Sequence, residues 1–280
     1  MASIRVVTDS ACDLTPATTE EHDVRVVPLT IRFGTEELVD REELSTKEFW
    51  DRVVTGPHMP ETAAPSPGAF QEAFVEAAEA GHSGVLCVTI SSGLSATYQA
   101  ARTAADTVAD RIAVRVVDTR SVTMGQGLLA LAAAELARQG ASLDDAAAAV
   151  ADMSTRTHVY GVLGGLDHLK RGGRIGGAAH LMGSLLSIKP VIEVRDGVVE
   201  VESKQRTRSR SLDYLAHKAL DAGALSWLAV ANGVAPDIDE VLGTVRRARP
   251  DHDLVLGDLG PVVGAHAGPG SVGVCFITRA

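Results

Sequence analysis

Gly84-Val85-Leu86-Cys87-Val88-Thr89-Ile90-Ser91-Ser92-Gly93-Leu94-Ser95-Ala96-Thr97-Tyr98 runs from a continuous apolar segment through a cluster of hydroxyls into a helical pattern. Residues 84–90 have the texture of a strand buried on both faces, while Tyr98, Ala101, Ala105 and Val108 recur at helical spacing. A helix start leaves backbone N–H groups free, and beside Ser91 and Ser92 these offer a grip for a carboxylate or phosphate oxygen. The same residues also fit a plain turn with Ser95 as the helix cap, and the stretch alone leaves both readings open.

Toward the amino terminus the alternation of strand and helix continues. A β-branched run at residues 4–8 leads through a turn to Thr15-Pro16, an N-cap followed by proline at the first helical position. Residues 24–33 read as one strand and residues 40–54 as an acidic linker entering an amphipathic helix that ends near Gly56. Pro65 and Pro67 hold the next segment extended, and Ser66 caps a helix carrying Phe70 and Phe74. After the opening stretch come a strand at 112–117, a loop at 118–123, a helix at 124–139 stopped by Gly140, and a helix capped by Ser142. Strands alternating with helices predict βαβ units, hence a Rossmann-like, doubly wound and mostly parallel α/β domain over residues 1–155. Ligands of such sheets sit beyond the carboxyl ends of the strands, where the Ser91-Ser92 turn lies.

Beyond residue 155 the texture changes. Residues 166–175 read as a short helix broken by Gly172-Gly173, followed by a small-residue helix through Met182, Leu185 and Leu186. Residues 191–201 alternate around Asp196-Gly197, the signature of a hairpin with a type I′ turn. Helical patterns at 211–222 and 237–249 then alternate with strands at 225–231, 253–257 and 271–277. A second α/β domain with a mixed sheet, over residues 156–280, is the economical arrangement.

Composition narrows the class of function. The chain has 280 residues, 45% hydrophobic and 22% charged, enough for two domains of about 100–200 residues each. A formal charge of −10 argues against broad contact with nucleic acid or anionic lipid, and 4% aromatics add little base-stacking surface. No apolar run is long enough for stable membrane insertion, so a cytoplasmic protein is expected. Cys12, Cys87 and Cys275 have no C-x-x-C spacing and read as small core residues.

Three chemistries present themselves. Gly125-Gln126-Gly127-Leu128-Leu129-Ala130 matches a dinucleotide fingerprint, but the 118–123 loop separates it from the preceding strand, so close helix packing is the better role. Gly93-Leu94-Ser95-Ala96-Thr97 falls one glycine short of a nucleophile elbow. A serine hydrolase would need Ser92 or Ser95 as nucleophile and His266 as base, and no residue declares itself the orienting acid. The nine histidines show no metal-ligand spacing, and no metal is expected. The third chemistry is carboxylate capture. Lys204, Arg206, Arg208 and Arg210 alternate, so an extended segment would point all four to one side, and Gly264-Ala265-His266-Ala267-Gly268-Pro269-Gly270 reads as a glycine-rich loop before the last strand.

These segments have a family likeness. Val7-Thr8-Asp9-Ser10, Thr62 through Pro65-Ser66-Pro67-Gly68, residues 90–99, Met124-Gly125-Gln126-Gly127, residues 169–175, residues 183–190 and residues 264–270 resemble, in order and over essentially the whole chain, the DegV family. The resemblance implies two α/β domains with a long-chain fatty acid buried between them. It further implies a non-catalytic, acyl-binding subunit without a cofactor, whose bound acid a separate ATP-dependent fatty acid kinase phosphorylates for phospholipid synthesis. By motif, Thr62 and Ser92 would hydrogen-bond the carboxylate, with His266 beside it, Arg206 acting on its charge, and Ser91 and Ala63 in support. Leu94, Met182, Leu185 and Leu186 would line the tunnel, and Arg171 and Arg174 would dock the kinase. Where the family usually has a hydroxyl residue and then glutamine after the threonine, this chain has Ala63 and Ala64, which removes one head-group donor. Sugar-phosphotransferase and dihydroxyacetone-kinase domains resemble the family's first domain in fold, which keeps a histidine phosphoryl-transfer role as a rival to the carrier and the hydrolase.

Overall fold

The β-branched run at the amino terminus forms an inner strand of a parallel sheet, with every residue but Arg5 buried. The computed structural model describes residues 3–184 and 188–280, with residues 182–184 as backbone alone. The first half runs β1 (Ile4–Asp9), α1 (Pro16–Glu21), β2 (Val24–Val27), β3 (Thr30–Phe33), β4 (Glu36–Val39), α2 (Thr46–Thr55), β5 (Pro60–Ala63), α3 (Pro67–Glu79), β6 (Gly84–Thr89), α4 (Thr97–Thr107), β7 (Ala113–Asp118), α5 (Met124–Arg138) and α6 (Leu143–Thr155). The second half runs β8 (Thr157–Val162), α7 (Asp167–Arg171), a 3-10 segment (Gly176–Ser184), β9 (Lys189–Arg195), β10 (Val198–Gln205), α8 (Arg208–Asp221), β11 (Leu225–Gly233), α9 (Ile238–Ala248), β12 (Leu254–Asp258), α10 (Pro261–Ala267) and β13 (Ser271–Thr278).

Three sheets result. A parallel sheet has the order β2-β1-β6-β7, a small antiparallel sheet the order β4-β3-β5, and a mixed six-stranded sheet the order β10-β9-β8-β13-β11-β12. The predicted α/β class with a parallel and a mixed sheet is the one observed. The helix starts follow their capping chemistry: the hydroxyls of Thr15, Ser66 and Ser142 accept the N–H groups of Thr18, Ala69 and Asp145. At the β9–β10 turn, Asp196 and Gly197 both have positive φ (52° and 83°), as a type I′ turn demands.

Three local expectations need correction. Residues 24–33 are not one strand: Pro28 offers no N–H to a ladder, and the chain leaves the parallel sheet after Val27 to start β3 in a different sheet. Residues 204–210 do not stay extended, because Thr207 caps α8 and accepts the N–H of Arg210, so the four basic residues share no single face. Most of residues 264–270 is helical, and only the residues after Ala267 form the loop; Pro261 starts α10 and Gly268, at φ 77°, stops it.

Helix α5 joins the layers. Every residue from Met124 to Ala134 is buried, and the helix packs on β1 and β6 of the parallel sheet and on β8, β11 and β13 of the mixed sheet. Its two leading glycines allow that approach: a Cβ on Gly125 would lie 2.3 Å from a Val159 methyl, and one on Gly127 would lie 2.6 Å from the Cys12 carbonyl. The G-x-G pair is thus a packing device. All three cysteines are buried, with Cys12 inside the same core.

A buried carboxylate ties the layers at the start of α5. Asp13 accepts a hydrogen bond from the Thr123 hydroxyl (2.6 Å) and another from the Gly260 N–H (2.9 Å) at the start of α10. Asp9 likewise accepts from the N–H groups of Ile90 (2.8 Å) and Ala11 (3.1 Å). Burial pushes the carboxyl of Asp13 up to about 7 and that of Asp9 up to about 6, despite these donors. A folded-state value above the unfolded one means that folding favours the protonated form. Their stabilising contribution is therefore complete below about pH 4 and is lost as pH rises through about 7. Asp13→Asn keeps an acceptor for Gly260, suits the left-handed backbone at this position and cannot ionise. Denaturant unfolding between pH 5 and pH 8 should show a smaller fall in stability for this variant than for the wild type; parallel curves would show that Asp13 does not titrate there.

Candidate functional site

Beyond the amino-terminal end of α5 the layers separate and leave a cavity. Its walls come from Leu29, Ile90, Leu94 and Val122 on one side, from Val159, Leu163, Ile192, Val194 and Val199 of the mixed-sheet side on the other, and from Val262 and Val263 of α10. The space between these walls, counted out through its open mouth into solvent, is about 870 Å³. Apolar side chains dominate, and such a surface favours an apolar occupant.

Eight of the residues lining the cavity have polar or charged side chains: Thr62, Ser95, Thr123, Tyr160, Arg174, Glu193, His266 and Ser271. Four are engaged by the fold itself: Thr123 donates to Asp13, Ser271 donates to the carbonyls of Ala267 and Gly268, Glu193 pairs with Arg195, and the Tyr160 ring lies under the Lys218 ammonium. The other four form the polar part of the lining. Thr62, held on β5 by pairing with Ile31, meets His266 in the last turn of α10 with Oγ1 and Nε2 2.9 Å apart. Arg174 donates from Nε to the Leu94 carbonyl (3.1 Å), which places its guanidinium beside the residue preceding Ser95.

The placement of His266 depends on close backbone contacts. Trp50 Nε1 donates to the Leu259 carbonyl (3.0 Å), and a Cβ on Gly264 would lie 2.6 Å from the Phe49 ring, so α10 seats tightly on α2. On the other side a Cβ on Gly172 would lie 2.1 Å from His266 Nδ1. The double glycine therefore lets the end of α7 lie against the imidazole, and Gly173, at φ 69°, turns the chain so that Arg174 enters the cavity. Burial, with the charge of Arg174 and then His168 adding to it, pushes the imidazole down to about 4. His266 is neutral at pH 7, and its buried Nδ1 has no hydrogen-bond partner among the described residues.

The structure brings some of the expected residues together and separates others. Thr62, His266 and Leu94 line the cavity. Ser92 is exposed and does not: its hydroxyl donates to Asp118 Oδ2 (2.5 Å), and its N–H to Oδ1 of the same carboxylate. Ser91 is buried in a different contact, donating to the Gly197 carbonyl (2.7 Å) at the hairpin tip. Arg206 is exposed between β10 and α8, and Ala63 is exposed on β5. Arg171 is exposed on α7, whereas Arg174, expected beside it on the surface, faces the cavity. Leu185 and Leu186 lie outside the described residues, as does the side chain of Met182. Ser95, expected as a nucleophile or a helix cap, lines the cavity, a place that no spacing in the sequence signals. Its Oγ lies 2.8 Å from Thr97 Oγ1 and accepts the Thr97 N–H.

The same geometry bears on the rival chemistries. His266 Nε2 faces Thr62, not a serine, and among the described residues no carboxylate orients Nδ1, so the contacts of a Ser-His-acid relay are not made there. No group of three or more histidine, cysteine or acidic residues suited to a metal ion occurs among the described residues. No helix among them is long and apolar enough to cross a membrane.

Comparison with known proteins places this site in context. The chain matches the family model for DegV proteins over residues 3–279. A DegV domain-containing protein of Streptomyces coelicolor is 36% identical, with 99% of each chain covered, and one of Deinococcus radiodurans is 37% identical, with 98% of each covered. Among solved structures, a DegV family protein of Thermus thermophilus, described for its fatty acid binding, is 30% identical, with TM-score 0.89 over 99% of this chain and 100% of that one. A stearic acid-binding protein of Eubacterium ventriosum is 28% identical, with TM-score 0.90 over 99% of this chain and 98% of that one. The DegV fatty acid binding protein of Bacillus subtilis is also 28% identical, with TM-score 0.90 over the whole of both chains. With its parallel and mixed sheets and an apolar cavity lined by Thr62, Arg174 and His266, the chain belongs to the DegV family.

Proposed function

We propose that this protein holds a long-chain fatty acid in the cavity and presents the carboxylate to a partner, an ATP-dependent fatty acid kinase. The observation that carries this reading is the combination of apolar walls with the Thr62, Ser95, Arg174 and His266 cluster. Burying about a dozen methylenes gains roughly 10 kcal/mol before ordering costs, whereas a carboxylate leaves water only where donors meet it. With the His266 proton on Nε2, the imidazole donates to Thr62 Oγ1, and the threonine hydroxyl is free to donate to the acid. Ser95 supplies a second hydroxyl and Arg174 the positive charge. Ser92 and Arg206 lie outside this set and gain a role only through rearrangement. The protein itself needs neither cofactor nor catalytic residue, and ATP supply to the partner places both in the cytoplasm, feeding acyl phosphate to phospholipid synthesis.

Mass spectrometry of an organic extract of the purified protein should find a long-chain fatty acid. An empty extract, together with failure to bind added palmitate or oleate, would overturn the reading. Arg174→Gln removes the charge beside His266, so the imidazole should titrate closer to its ordinary value of 6.5, as read by NMR. The same variant should bind the carboxylate about tenfold or more weakly, the usual effect of losing a charged hydrogen bond. An unchanged titration would separate Arg174 from His266. Arg171, exposed on α7, belongs to the surface offered to the kinase: Arg171→Ala should retain lipid while its bound acid is phosphorylated more slowly, and loss of lipid would contradict that role.

A further inference from the structure

A row of small residues crosses the mixed sheet beneath the cavity. The ladders place Gly161 of β8 opposite Gly273 of β13, with Ile192 of β9 beyond Gly161 and Ala231 of β11 beyond Gly273. Both glycines are buried and both line the cavity. Neither has a positive φ, so backbone conformation does not call for glycine at either position. Crowding does not call for it either. A Cβ on Gly161 would meet the Ile192 side chain at 3.5 Å and one on Gly273 would meet the Ala231 methyl at 3.5 Å, both ordinary contacts. In this they differ from Gly125, Gly127, Gly172 and Gly264, where a Cβ would collide.

Glycine inside a strand weakens it, and where neither turn nor crowding explains it, close approach of another molecule does. Two adjacent glycines remove a layer of side chain from neighbouring strands about 4.8 Å apart, leaving a trough of bare backbone. Along β13 the trough lies two residues from Ser271, about 7 Å, and Ser271 is bonded to the carboxyl end of α10, the helix that carries His266. A chain anchored by its carboxylate at Thr62 and His266 and running along this face passes over the trough.

We propose that Gly161 and Gly273 form the floor beneath the middle of the bound acyl chain, and that their missing side chains determine how long a chain the cavity admits. This inference rests on the fatty-acid reading. Short acids end before the trough and are indifferent to what fills it, whereas long acids must cross it. Gly273→Val and the double variant Gly161→Ala with Gly273→Ala both fill the trough, and the alanines do so without a clash inside the sheet.

Binding titrations of wild type and both variants with octanoate, palmitate and oleate provide the test. Palmitate and oleate should bind the variants at least about tenfold more weakly while octanoate is unaffected, in line with the discrimination that single methyl groups give in apolar pockets. The double-alanine variant keeps the test valid if the valine variant does not fold. A wild type that prefers long acids, with that preference unchanged in the variants, overturns the floor and leaves the fatty-acid reading intact. A wild type that binds none of the three overturns both.

Discussion

A single helix buried on all sides governs this molecule. Helix α5 has no solvent-facing stripe over its first three turns, so it must be covered by one sheet on one side and a second sheet on the other. Both sheets therefore offer apolar faces to it, and close contact demands glycine where the helix meets the Cys12 carbonyl and Val159. The helix also acts as a wedge. Where it stops, at Met124, the layers remain apart, and the residues just before it, Val122 and Thr123, become part of the cavity lining. The cavity is a consequence of how the two layers are joined.

The Asp13 tie at the mouth of that wedge shows how polar groups survive there. Its carboxyl is fully buried, yet it accepts from groups that begin α5 and α10. Burial pushes its proton affinity up, while burial and the charge of Arg174 push that of His266 down. Both effects favour the neutral forms. With Glu193 paired to Arg195, the charge left in the cavity lining at neutral pH is then mainly that of Arg174, which suits the anionic head group of the proposed ligand.

Much of the fold is legible locally because local chemistry decides it. Asp196-Gly197 forces a hairpin, Ser66-Pro67 starts a helix, and the apolar run at residues 84–90 has no stable place except the middle of a sheet. The β4-β3-β5 sheet was less legible, since its short strands carry exposed charge and gain strand character from pairing. Much the same divides the site. Thr62 and His266 are 204 residues apart, and no periodicity could pair them; only family resemblance brought them together beforehand. Ser92 and Ser95 lie in one turn, but the Asp118 carboxylate engages the first and leaves the second in the cavity lining. Arg206 has its expected role from the family resemblance alone, and the Thr207 cap, which ends the extended segment, leaves it exposed between β10 and α8.

The same residue types that suggested a hydrolase explain why this arrangement suits holding more than cleaving. A base must be free to take a proton from its nucleophile and must be oriented by a third group. Here Nε2 is committed to Thr62, Nδ1 is covered by the backbone at Gly172, and burial opposes the imidazolium that proton transfer would create. Phosphorylation of the imidazole meets the same obstruction, because one nitrogen is bonded and the other has no room. A neutral imidazole fixed in one orientation can still pass a hydrogen bond to a threonine, and through it to a ligand oxygen. That combination suits holding a carboxylate better than reacting with it.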